Sequence, residues 1–281
     1  MACDLVCHHR GMAALLETEI RHTTSDGERM VPTVLHDGRA ERGLDWRENG
    51  FELRVLPTEV QDWDDAEHVA TVYQAEIEAF AKAEVGCELV LFYPTLVRSA
   101  AHEAHRGKDN GPIEAAHSDY SEQYESMFRD PSHPYLAGMQ RSLDAAGVEV
   151  ERLGAATRLV TLQLWRNIGE PRPDRPLALC DCRTVERDEF EGYFIESYAG
   201  VRAEFESMLL RPPVGEDRRQ WYTFPELRHD EVLLFRAFDS DRAREGQPFW
   251  TPHTAFVDPT AGPDAPGRVS AEIRAICFFF D

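Results

Sequence analysis

The C-terminal half of this chain places apolar side chains at every second position, which constrains its fold more than any other feature. Within residues 158–166, Val160, Leu162 and Leu164 alternate with polar or aromatic neighbours. Successive side chains of a β-strand point to opposite faces, so this pattern predicts a half-buried strand. Further short strands are predicted at residues 176–183, 221–227, 231–238, 249–257 and 268–280. Short strands separated by turns are typical of an antiparallel barrel or jelly roll.

The preceding part of the chain predicts helices and an isolated strand. Residues 62–85 repeat apolar side chains at helical spacing, and Gly86 follows as a stop signal. Residues 134–146 predict a second helix, and residues 186–198 predict a third within the strand-rich half. Residues 87–97 form an apolar run that a proline interrupts, as expected of a strand at a sheet edge or a bulge.

The domain organisation follows from these elements. Residues 1–60 are turn-rich, with turns predicted at Asp37-Gly38 and Asn49-Gly50, and no linker separates them from the rest. We therefore predict one α+β domain over residues 1–281. Residues 1–110 would form an N-terminal helix and strand elaboration, and residues 111–281 a jelly-roll core with the functional site.

The charge balance excludes several classes of partner. The formal net charge is −21, so a basic surface for nucleic acid is not expected, nor is binding to an anionic membrane. No segment approaches the roughly 18 apolar residues of a membrane span. The six cysteines are scattered and no secretory signal is evident, so we predict a cytoplasmic protein without a disulfide framework.

One set of residues predicts a metal site. His117 and Asp119 are two positions apart, so on extended backbone both side chains point the same way. A second imidazole, His253, comes from the strand predicted at residues 249–257. Two histidines and one carboxylate are the ligands of non-haem Fe(II) oxygenases, which leave positions open for an oxo-acid co-substrate and O₂. The simpler alternative is a solvated loop pair and an ordinary strand histidine.

Arg268 and Ser270 extend this interpretation to the co-substrate. They also lie two positions apart, on the strand that a hairpin would return alongside His253. A guanidinium contacts a carboxylate in bidentate fashion, and a serine hydroxyl adds a further hydrogen bond. The pair would suit the distal carboxylate of 2-oxoglutarate.

Rival constellations are weaker. Cys3, Cys7, His8 and His9 cluster near the N-terminus, but their spacing fits no common zinc site. The histidines of His102-Glu103-Ala104-His105 are one residue too close for the metalloprotease motif. No Gly-x-Ser-x-Gly elbow supports a serine hydrolase.

Over residues 45–281 the sequence resembles the CmcJ/AsaB group of hydroxylase/desaturases, which are natural-product tailoring oxygenases. The chain departs from the family at one position: the family has a proline after its Trp-Arg pair, whereas Asn167 follows Trp165-Arg166 here. The most specific matching stretches are residues 164–167, 176–181, 230–235, 239–240, 252–256 and 268–274. The resemblance implies a double-stranded β-helix (a cupin-like jelly roll) with flanking helices, which binds Fe(II) and 2-oxoglutarate.

The predicted activity is therefore oxidation of an unactivated C–H bond of a small molecule, by hydroxylation, desaturation or cyclisation. Two other classes stay open at this point. One is a metal-dependent cupin-type hydrolase or isomerase without O₂ chemistry, and the other is a barrel that binds a ligand without catalysis. Activity without 2-oxoglutarate under nitrogen would indicate the hydrolase or isomerase. A non-catalytic barrel would often have lost a metal ligand or the arginine, and this chain has kept all of them.

Five further residues are candidates for substrate contacts. The arginines among them fall in or beside predicted strands, and if two of them line one pocket, the substrate is expected to carry a carboxylate. Trp165 could support the substrate, although packing in the core is the alternative for this residue. Tyr120 adjoins the pair of ligands His117 and Asp119 and could orient them. The five are Arg98, Arg166, Arg274, Trp165 and Tyr120.

Overall fold

The computed structural model describes residues 14–99, 111–198 and 200–280. The N-terminal cysteines and histidines and the segment His102–His105 lie outside these residues. The described part forms two sheets and five short or medium helices. The strands are β1 (Ala14–Thr24), β2 (Gly27–Asp37), β3 (Phe51–Val55), β4 (Leu89–Phe92), β5 (Leu96–Ser99), β6 (His117–Ser118), β7 (Arg158–Asn167), β8 (Leu177–Cys180), β9 (Phe190–Tyr198), β10 (Val201–Leu210), β11 (Trp221–Thr223), β12 (Glu231–Asp239), β13 (His253–Ala255) and β14 (Val269–Phe279). The α-helices are α1 (Ala66–Val85), α2 (Tyr124–Met127), α3 (Pro134–Ala137), α4 (Gln140–Ala146) and α5 (Ser240–Arg244).

The two sheets have the arrangement of a jelly roll. The larger sheet has the order β1-β2-β11-β8-β13-β6-β10-β9, and the smaller has the order β3-β12-β7-β14-β4, with β5 also paired to β14. Nearly all neighbours are antiparallel; β2 and β11 are parallel. Apolar side chains of both sheets, such as Leu35 and Ile276, share one core cluster between them. The predicted jelly-roll class is confirmed.

Helix α1 covers the outer face of the smaller sheet. It begins after Asp65, whose carboxylate accepts hydrogen bonds from two backbone amides, and ends at Gly86 in the left-handed region. Its side chains Tyr73 and Ile77 are fully buried against β7 and β14. Consequently β7 and β14 are buried on both faces, and the face toward the larger sheet is the one available for a site.

The prediction of a helix at residues 186–198 is wrong. The segment contains one 3₁₀ turn, Arg187–Glu189, and then strand β9, which pairs with β10. Tyr193 and Phe194 are both exposed although they are adjacent, so β9 lacks the alternation that would have identified it. The N-terminal hairpin β1–β2 and strand β10 were likewise not predicted, and the helix expected at 134–146 is broken into α3 and α4.

The N-terminal segment contributes to both sheets. Strands β1 and β2 extend the larger sheet, while β4 and β5 pair with β14. The described residues contain no helix long and apolar enough to cross a membrane. Four cysteines lie among these residues, and all four are buried free thiols: Cys87, Cys180, Cys182 and Cys277.

Candidate metal centre

Strand pairing brings together the three predicted metal ligands. His117 begins β6 and is directly opposite His253, which begins β13, and Asp119 follows β6 on the same side as His117. One ligand atom from each residue lies within 4.8 Å of the other two, and all three side chains are buried. The two imidazole rings are 4.3 Å apart between centroids. This is the donor set expected for one divalent ion.

Backbone carbonyls orient both imidazoles. Nδ1 of His117 donates to the carbonyl of Ala115 at 2.8 Å, and Nδ1 of His253 donates to that of Thr251 at 3.0 Å. A carbonyl can only accept, so each Nδ1 carries the proton and each Nε2 lone pair is free for a metal. Burial, together with the neighbouring His253, lowers the pKa of His117 to about 4, so this ring is neutral at pH 7.

Gly50 holds the loop before His253 in place. Its φ of 95° lies in the left-handed region, and a Cβ there would stand 2.5 Å from Oγ1 of Thr251. The Thr251 hydroxyl donates to the Gly50 carbonyl at 3.0 Å, and the Thr251 carbonyl accepts from His253. The predicted Asn49-Gly50 turn thus supports one ligand of the candidate site.

Arg274 orients the carboxylate ligand. Its Nη2 donates to Oδ1 of Asp119 at 2.9 Å, whereas Oδ2 is buried without a hydrogen-bond partner among the described residues. Burial alone would raise the pKa of Asp119, but Arg274 and the two imidazoles outweigh it and hold the pKa below its ordinary value. A buried, ionised oxygen without a partner suits a cation.

We expect the Arg274→Gln variant to bind metal about 10- to 100-fold more weakly, because the carboxylate loses the group that fixes its rotamer. Isothermal titration with Co²⁺ would measure this, with circular dichroism as a check on folding. Arg274→Lys should recover part of the affinity, since it restores the charge with a single donor atom. Unchanged affinity in both variants would contradict the role assigned to Arg274.

Glu272 and Tyr198 complete a buried charge cluster that sequence reasoning missed. Oε1 of Glu272 accepts from Nη2 of Arg98 at 2.9 Å and from the Tyr198 hydroxyl at 3.2 Å. The Tyr198 hydroxyl also accepts from Nη1 of Arg274 at 2.6 Å. Glu272 lies on the same strand face as Ser270 and Arg274, so period-two spacing could have identified it. Tyr198 was hidden by the wrong helix prediction.

Arg268 directly precedes β14 and Ser270 is its second residue, so both lie farther from Asp119 along the strand than Arg274 does. The Arg268 guanidinium rests over Trp165 at 5.5 Å from the ring centroid, and its Nη1 donates to the Arg175 carbonyl at 3.4 Å. Its Nε and the Ser270 hydroxyl are buried without hydrogen-bond partners in the described part of the chain. Burial and the nearby Arg98 lower the pKa of Arg268 to about 10, as expected for a guanidinium without a paired carboxylate.

The other predicted contacts divide between the interior and the outer face. Arg166 points away from the interior: it donates to the carbonyls of Leu56 and His229 and lies over the Tyr73 ring beneath α1. Its predicted substrate contact is therefore wrong, because adjacent residues of a strand face opposite sides. Trp165 lies under the Arg268 guanidinium, and Arg98 is engaged with Glu272.

A cavity of about 320 Å³ adjoins two of the three candidate ligands, His117 and Asp119. Arg274 and Tyr120 also form part of its lining. The Tyr120 ring stacks on Tyr124 and its hydroxyl is hydrogen-bonded to that of Tyr135 at 2.6 Å. Tyr120 is thus held rigidly beside the site.

The residues present fit both iron and 2-oxoglutarate. Two Nε2 lone pairs and an unpartnered carboxylate oxygen provide the donors for a divalent ion. The uncompensated Arg268, with the Ser270 hydroxyl, provides a buried anion site in the same interior. A jelly roll with this donor set defines the class of non-haem iron oxygenases.

The chain belongs to the family described as "YDMC: Oxidoreductase/YMDC permease-like domain", whose model matches residues 13–278. It is 26% identical over 252 residues to the Fe(II)/2-oxoglutarate-dependent dioxygenase nvfI of Aspergillus novofumigatus, across 86% of this chain and 81% of that protein. It is 31% identical over 142 residues to the hydroxylase/desaturase asaB of Aspergillus flavus, across 48% of this chain and 61% of that protein. These relatives confirm the resemblance to the AsaB group.

A solved structure shows the same fold. A variant of the iron and alpha-ketoglutarate-dependent endoperoxidase NvfI superposes with a TM-score of 0.75 at 22% identity. The superposition covers 96% of this chain and 99% of that chain. The likeness extends over both sheets and the flanking helices.

Proposed function

We propose that this chain is an Fe(II)- and 2-oxoglutarate-dependent oxygenase that oxidises an unactivated C–H bond of a small molecule, in natural-product biosynthesis. The observation that carries the proposal is the convergence of His117, Asp119 and His253 within 4.8 Å inside a jelly roll. The names of the relatives support the same chemistry. Hydroxylation, desaturation and cyclisation are all compatible with it.

The residues of this chain would bind and orient the reactants. His117, Asp119 and His253 would hold the metal, and Arg274 would keep Asp119 ionised and in one rotamer. Arg268, assisted by Ser270, would anchor the distal carboxylate of 2-oxoglutarate. Bound iron and 2-oxoglutarate supply the activation of O₂, with 2-oxoglutarate converted to succinate and CO₂.

The cavity walls would control the outcome of the reaction. Tyr120, Tyr198 and Phe205 line the cavity, and the Phe205 ring packs against both tyrosine rings. The walls would hold one C–H bond of the substrate close to the metal, and that bond would react fastest because orientation contributes much of the rate.

We place the enzyme in the cytoplasm, because the four described cysteines are free thiols.

Anaerobic addition of Fe(II) and 2-oxoglutarate tests this function directly. We expect a weak visible charge-transfer band, followed by O₂-dependent formation of succinate when air is admitted. The absence of both signals would contradict the proposal. A divalent-metal activity that persists under nitrogen without 2-oxoglutarate would instead indicate the hydrolase or isomerase class.

A further inference from the structure

We propose that the substrate is an uncharged, mainly apolar molecule bound in the 320 Å³ cavity beside His117 and Asp119. This inference rests on the proposed function and adds the class of substrate to it. The cavity lies at the lower end of the roughly 300–1,000 Å³ range of small-molecule sites. Its side walls are formed mostly by aliphatic and aromatic side chains, including Ile113, Tyr193, Ile195, Phe205 and Leu209.

The charges around the cavity balance without a substrate. Arg274 is the only cationic side chain among the described residues that line it, and its guanidinium is bound to Asp119. Behind it, Glu272 is paired with Arg98. Two carboxylates and two guanidiniums thus neutralise one another in a buried cluster. A substrate carboxylate would enter with no cation to pair with, and burial of an unpaired charge is costly.

The condition for the expected acidic substrate is not met in this cavity. That expectation required two of the three candidate arginines to line one pocket. Arg166 lies under α1 on the opposite face of its strand, and Arg98 is not part of this cavity wall. Arg268 lines an adjoining charged cavity of about 470 Å³, which shares Thr23, Ile113 and Ala115 with this one and is where the distal carboxylate of the co-substrate would find its partner.

Two hydroxyl groups of the wall are engaged within the protein. The Ser207 hydroxyl donates to the Ser118 carbonyl at 2.9 Å, and the Tyr120 hydroxyl is bonded to that of Tyr135. Nε of Arg274 is a buried N–H without an acceptor among the described residues. A neutral acceptor such as a carbonyl oxygen would satisfy it without adding charge. Recognition would then rest on shape and apolar contact.

Equilibrium dialysis of the full chain, free of metal and 2-oxoglutarate, tests this inference at pH 8. The probes are matched pairs: the methyl esters and free acids of 1-naphthoic, biphenyl-4-carboxylic and abietic acids. We expect at least one ester to bind about tenfold or more tightly than its own acid. Acids that bind as tightly as their esters, or failure of every ester to bind up to its solubility limit, would overturn the proposal.

Two lysine substitutions on neighbouring residues locate the binding site. Ile195 faces the cavity, whereas Phe194 is 58% exposed and is not part of the wall. Ile195→Lys should weaken ester binding at least about tenfold and favour the acid, while Phe194→Lys should bind like the wild type. Tyr193→Lys, at a more exposed wall position, provides a second variant if Ile195→Lys does not fold. Ester binding unaffected by both wall variants would exclude this cavity.

The dialysis does not depend on iron chemistry, so the two proposals fail separately. Loss of the charge-transfer band and of succinate formation, with ester preference retained, would overturn the oxygenase function while the apolar site remains. Normal succinate formation with tight binding of the acids would overturn only the substrate class.

Discussion

Replacing His253 by alanine is expected to lower Fe(II) affinity by about a thousandfold and to abolish succinate formation. The imidazole is one of three candidate donors, and its loss removes a metal bond worth about 4 kcal/mol or more. His117→Ala should have the same effect, because its Nε2 is oriented by a backbone carbonyl in the same way. Titration with Co²⁺ and anaerobic formation of the charge-transfer band measure the two losses.

The control for this prediction is a histidine outside the site. His229 is exposed, and its Nε2 donates to the Gly169 carbonyl on the surface. His229→Gln should bind metal and form succinate like the wild type. If His253→Ala retained wild-type metal affinity while folded, His253 would be excluded as a ligand.

Arg268→Ala is expected to weaken 2-oxoglutarate binding about 100-fold or more while leaving metal affinity unchanged. Two charge-assisted hydrogen bonds to a carboxylate contribute about 3 kcal/mol or more together. Arg268→Lys should be intermediate, since an ammonium cannot form the bidentate contact. Titration of the charge-transfer band with 2-oxoglutarate gives the dissociation constants, and wild-type values in the alanine variant would exclude this anchor.

The same substitution should not destabilise the protein without its co-substrate. Arg268 is buried without a paired carboxylate in the described structure, so its removal relieves an uncompensated charge. We expect the melting temperature of the metal-free Arg268→Ala variant to equal or exceed that of the wild type. Arg172→Ala, at an exposed position, should leave both properties unchanged.

The metal trio could be predicted because it depends mostly on local spacing. His117 and Asp119 share one side through the two-residue period, and the same rule aligns Arg268 with Ser270. The jelly-roll class was predictable for a related reason, since several short strands separated by turns have few other ways to bury one face. The position of His253 beside His117 does not follow from local spacing, because it depends on the pairing of β6 with β13.

The roles of the arginines could not be predicted in this way. Both faces of β7 and β14 are buried, one by α1 and the other by the larger sheet, so burial does not tell which face is the interior. Arg166 was a candidate for a substrate contact, but it lies over the Tyr73 ring, whereas its neighbour Trp165 lies on the opposite face under Arg268. Arg274 was expected to contact the substrate; it lines the cavity, and its guanidinium also holds Asp119, which spacing along the chain did not indicate.

By itself, the sequence determined the strand-rich architecture, the types of donor atom and the relative direction of side chains two residues apart, since each follows from local backbone geometry. Tertiary structure alone decided which charges neutralise one another. Asp119, Tyr198 and Arg274 are far apart in the chain and meet only when the two sheets pack face to face. Charge pairing depends on distance in space, so the balance of charges around the cavity appears only in the folded protein.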